Sequence, residues 1–107
     1  MASPEKGSAA KGEDGARVKR LAVTVAGRVQ GVGYRFFARE QAEALGVTGW
    51  VRNTARGAVE VEVQGETQRV YSFCNQLERG PMLSRVSDVS IKEVALVDGE
   101  VGFTVRY

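Results

Sequence analysis

Two segments of helical hydrophobic period interrupt a chain whose other apolar residues recur at every second position, and that order admits few folds. Over residues 18–26, Leu21, Val23 and Val25 alternate with small or polar neighbours, which predicts a strand ended by Gly27. Tyr34, Phe37, Ala38, Ala42 and Leu45 then fall on one face of a predicted helix, with Gly46 placed to cap it. Residues 47–53 read as a short strand and residues 54–57 as a hairpin turn. Residues 58–64 alternate cleanly, Val59, Val61 and Val63 facing inward and Glu60 and Glu62 outward. Val70, Phe73, Cys74 and Leu77 set the apolar face of a second helix over residues 66–79, which Gly80 and Pro81 end because proline cannot continue it. Residues 86–94 predict another strand, and Phe103, Val105 and Tyr107 alternate in a last short one. The order predicts an α+β domain of the ferredoxin-like split βαβ type, an antiparallel sheet of four to five strands with two helices on one face. Such a sandwich hosts many unrelated activities, so function has to come from a site.

With 107 residues, 43% of them hydrophobic, the chain suits one domain whose core needs neither disulfide nor structural metal. Residues 1–16 carry no large aliphatic or aromatic side chain after Met1, and they are predicted to be a flexible N-terminal tail to a folded domain over residues 17–107. One cysteine and no histidine exclude an internal disulfide, a zinc site of the usual ligands and imidazole acid–base chemistry. Cys74, at a helical core spacing, reads as a packing thiol. The net charge of +2 is dispersed rather than gathered in a stripe, so no nucleic-acid partner is expected. No apolar run would span a bilayer or form a signal peptide, which predicts a cytoplasmic protein without a membrane partner.

The connection from the first strand to the first helix, residues 27–35 (GRVQGVGYR), holds Gly27, Gly31 and Gly33. Glycine removes the side chain that keeps a ligand off the backbone, and successive amides can then turn inward as an anion-binding nest at the positive end of the helix. Arg35 stands in the first turn, where a cation opposes the helix dipole, and a shared anion would reconcile the two. A nucleotide-binding Walker loop is excluded because no lysine follows the glycines, and Phe36 breaks the dinucleotide fingerprint. The first two strands run the same way, so with the third paired between them their ends lie roughly 10 Å apart on one sheet edge. Asn53 closes the second of these strands. On these residues alone, a strand–helix connection without a ligand and a turn-forming asparagine remain open.

The paired segments VAGRVQGVGYR (residues 25–35) and GWVRNT (residues 49–54) resemble the acylphosphatase family, as do GAVEVEVQG, GPMLSRV and the closing FTVRY. The resemblance covers the whole predicted domain. It implies that Arg35 binds phosphate and that Asn53 positions the attacking water. It also implies that the backbone of Gln30, Gly31, Val32, Gly33, Tyr34 and Arg35 forms the phosphate cradle. Thr54 either hydrogen-bonds Asn53 and fixes its rotamer or builds the following turn. The implied ligands are small acyl phosphates and inorganic phosphate, handled by a monomer with no metal or other cofactor. An acyl phosphate releases a carboxylate with a pKa of about 4, which departs without a general acid, so a chain lacking histidine suffices. The alternative is a ferredoxin-like module that binds an anion or a partner without turnover.

Overall fold

The computed structural model describes residues 17–107, and the tail expected over residues 1–16 lies outside the described residues. The elements in order are β1 (Val18–Arg28), α1 (Tyr34–Leu45), β2 (Thr48–Asn53), β3 (Val59–Glu66), α2 (Thr67–Arg79), β4 (Arg85–Val94) and β5 (Phe103–Arg106). They form a five-stranded sheet in the order β4-β1-β3-β2-β5. The inward alternation of β1 and β3 is realised in register, with Val23 opposite Val61 and Val25 opposite Val59. Val51 of β2 also pairs with Val61. This valine row and Phe103 pack against Tyr34, Ala38 and Ala42 of α1 and against Val70, Phe73, Cys74 and Leu77 of α2. Burial, and then the negative charge of Glu78, push the Cys74 thiol up to about 11, so it packs as a neutral group. Phe37 and Leu45 are only half-buried at the margin of the α1 face.

One expectation is corrected. The sheet is mixed, because β5 runs parallel to β2, with Gly49 opposite Phe103 and Arg52 opposite Arg106. The alternation of Phe103, Val105 and Tyr107 marks a strand but carries no direction. Direction is set by the connection: β4 and β5 occupy opposite edges of the sheet, so residues 95–102 cross it rather than turn a hairpin. The crossing covers four inter-strand spacings, about 19 Å.

This crossing strap is held by a polar row on the face away from the helices. Arg20, Gln64 and Thr48 stand side by side on β1, β3 and β2. Gln64 donates to the Val97 carbonyl (3.0 Å) and accepts from the Val97 amide (2.9 Å). Glu100 receives two hydrogen bonds from the Arg20 guanidinium (2.8 and 3.2 Å) and one from the Thr48 hydroxyl (2.8 Å). Arg20 also donates to Glu62 (2.8 Å), and with every charge paired it is only 2% exposed. The strap therefore fixes where β5 begins, and β5 in turn reaches the sheet edge where the glycine-rich loop lies.

Candidate active site

β1 continues two residues beyond its predicted end, to Arg28, and its pairing with β4 shifts between Ala26 and Gly27. A Cβ at Gly27 would lie 2.2 Å from the Arg85 carbonyl oxygen, and its φ is +126°. Gly27 thus serves the close passage of two strands rather than the loop's open side. Val29, which follows β1, is buried in the core.

The loop is tied to the opposite strand end by one side chain. The Gln30 amide donates to the carbonyl oxygens of Thr54 (2.9 Å) and Ala58 (2.8 Å), bridging to the turn that follows β2. Thr54 builds that turn: its hydroxyl accepts from the amides of Arg56 (3.3 Å) and Ala58 (3.1 Å), and its own amide donates to Ala58 (2.9 Å). Of the two readings of Thr54, the turn is realised, and Thr54 acts on Asn53 only through the backbone they share.

α1 starts at Gly33, whose left-handed backbone (φ 78°, ψ 21°) a side chain would strain. No side chain caps the helix and its first turn holds no acid. The first helical hydrogen bond runs from the Phe37 amide to the Gly33 carbonyl (3.0 Å), which leaves the amides of Tyr34, Arg35 and Phe36 without a partner inside the helix. These donors sit at the positive end of the dipole and meet the open side of the loop. The Tyr34 ring turns the other way: it is buried and its hydroxyl donates to the Leu77 carbonyl, so burial holds its pKa well above the usual phenol value. Tyr34 thus belongs to the site by its backbone and to the core by its side chain. Val32 likewise packs partly against the core.

Arg35 and Asn53 line the same pocket, of about 220 Å³, together with Gly31 and Gly33. The Arg35 guanidinium donates to the Arg106 carbonyl (3.2 Å) and lies 4.5 Å from the centre of the Tyr107 ring, so the end of β5 orients it. Asn53, half-buried, ends β2 opposite Val59. Its side chain has no hydrogen-bond partner among the described residues, which leaves its carbonyl oxygen available to a water. The pocket lining contains two arginines and no Asp or Glu side chain. Among the described residues no three His, Cys, Asp or Glu side chains gather, and no helix is long and apolar enough to cross a membrane. Sequence reasoning missed Phe36, Arg39 and Tyr107 in this lining. The spacing of Arg39, one turn after Arg35, was the available signal for one of them.

Comparison with known proteins points to one family. The family model described as Acylphosphatase matches residues 21–105. An acylphosphatase of Clostridium beijerinckii is 41% identical over 88 residues, covering 82% of this chain and 98% of its own length. One from Pseudomonas paraeruginosa is 49% identical over 82 residues, covering 77% of this chain and 89% of its own. The crystal structure of an acylphosphatase from Bacillus subtilis superposes with a TM-score of 0.80 at 33% identity, over 84% of this chain and 99% of that one.

Proposed function

This chain belongs to the acylphosphatase family, and from that premise we propose how residues 17–107 hydrolyse the carboxyl–phosphate bond of acyl phosphates. The observation that carries the proposal is the single pocket in which Gly31, Gly33, Arg35 and Asn53 meet. The phosphoryl oxygens accept from the cradle amides of residues 30–35 and from Arg35, whose planar guanidinium can meet two oxygens at once. Asn53, at the end of the parallel neighbour strand, accepts a hydrogen bond from water and holds it in line with phosphorus. Attack forms the new phosphorus–oxygen bond, and the bond to the acyl oxygen breaks with its electron pair leaving on the carboxylate. Asn53 is too weak a base to take the water proton, which passes to a phosphoryl oxygen. The products are a carboxylate and inorganic phosphate.

The loose transition state spreads charge over the three equatorial oxygens, so positioning and preorganised donors aimed at them carry the rate. No metal is required in this scheme, because Arg35 and the helix terminus supply the positive charge and the leaving group needs no acid. An anion-binding module without turnover would need the cradle but not an unpaired asparagine beside it. We propose a monomer in the cytoplasm, where the free thiol of Cys74 would stay reduced. The test is release of phosphate from a simple acyl phosphate in EDTA. Turnover unaffected by the chelator is expected; a dead enzyme restored by a divalent cation would overturn the scheme.

A further inference from the structure

The pocket does not stop at Arg35. Arg39 follows four residues later on α1, which places the two guanidinium-bearing side chains on one helix face about 6 Å apart along the axis. Both line the same cavity. Phe36 also lines it and is 55% exposed, because it stands off the buried face of α1. The Arg39 guanidinium stacks over the Phe36 ring, 5.2 Å from its centre, so the ring holds the cation at the pocket rim. None of the ion pairs among the described residues includes Arg39. The helix therefore presents two cations in a row to one cleft, and hydrolysis of the phosphoryl group accounts for only the first.

We propose that Arg39, braced on Phe36, is a specificity-determining subsite for the acyl group, selecting acyl phosphates whose acyl chain ends in a second anion. The proposal rests on the acylphosphatase reading and names its preferred substrate class. With the phosphoryl group on Arg35 and the cradle amides, the backbone that carries the second guanidinium stands about one helical turn, roughly 6 Å, further along α1. A four-carbon diacid monophosphate spans a comparable distance between phosphorus and its far carboxylate. The far carboxylate meets Arg39 in a charge-assisted pair, while a neutral acyl chain of the same length meets only the edge of Phe36.

Fumaryl monophosphate and crotonyl phosphate are suitable probes. They share length and a rigid trans double bond, cannot cyclise, and differ by a carboxylate in place of a methyl group. The expected result is a kcat/KM ratio of about tenfold in favour of the fumaryl substrate, the size of one charge-assisted hydrogen bond. Arg39→Gln should bring the ratio to about one, Arg39→Lys should restore part of it, and added salt should lower it in the wild type. A wild-type ratio near one overturns the proposal. So does a ratio unchanged in Arg39→Gln, which would mean that Arg39 attracts all phosphates alike. If the wild type consumes neither substrate, the acylphosphatase reading itself falls; if it consumes both equally, only the acyl subsite does.

Discussion

Arg35 contributes little to the fold that holds it. It is half-buried, donates one hydrogen bond of 3.2 Å and stacks on a Tyr107 ring that is 98% exposed, contacts together worth about 1 kcal/mol. Arg35→Ala is thus expected to keep its far-UV spectrum and most of its stability while losing roughly 10²-fold or more in kcat/KM, the loss typical of an oxyanion-type donor. Asn53→Ala should lose a similar factor for a different reason, the direction of the water. A full-rate variant at either position would remove that residue from the mechanism. Local signals single out both positions in the sequence, a cation where a helix start favours an anion and a polar end to a strand, but the roles assigned to them come from the resemblance to the acylphosphatase family. The side-chain role of Gln30 was not legible, since its acceptors lie 24 and 28 residues away and are backbone carbonyls that any residue supplies. Phe36, read only as the residue that breaks a dinucleotide fingerprint, lies off the apolar face of α1, and periodicity says nothing about what such a residue faces.

Strands and helices were legible from their periods because one buried face imposes them, and α1 begins and ends where the pattern does. The parallel docking of β5 was not, because alternation is blind to direction and the strap that sets it is polar. That strap carries a pH-dependent contribution. Burial alone would raise the Glu100 carboxyl, but the hydrogen bonds from Arg20 and Thr48 and the charges of Arg20 and Arg106 outweigh it and hold it below the usual carboxylate value. A lowered folded-state pKa means that the stabilisation is present above the unfolded value, about 4.3 for a glutamate. It is lost as pH falls through the folded value. Glu100→Gln is expected to cost about 1–3 kcal/mol at pH 7, since Arg20 keeps Glu62 while the network loses its second charge. Urea titrations at pH 7 and pH 3 should show the gap between variant and wild type closing in acid. An equal gap at both values would assign the loss to packing of the strap instead of to the ion pair.

At the scale of the whole molecule, the pocket draws its walls from elements that share one core. The loop leaves β1, the donors belong to α1, Asn53 ends β2, and the Arg106 carbonyl and Tyr107 come from the end of β5. In sheet order, β5, β2 and β1 are separated by β3 alone, so the site cannot form before the sheet has closed around its central strand. Ligand binding should therefore report on global folding, with unfolding of a domain of this size close to two-state. Inorganic phosphate, as product, binds only where cradle, Arg35 and sheet edge coexist. At a hundredfold excess over its dissociation constant it should add about 2.7 kcal/mol to stability. For a domain of this size, that raises the midpoint of thermal unfolding by roughly 10 °C or more. The shift should grow with the logarithm of phosphate concentration, and chloride at matched ionic strength should not reproduce it. Arg35→Ala should unfold near the wild-type temperature without phosphate and gain little when phosphate is added. A shift that survives in this variant would place the anion somewhere other than the β1–α1 loop. A shift absent from the wild type would mean that the cradle amides are not held ready for a phosphoryl group.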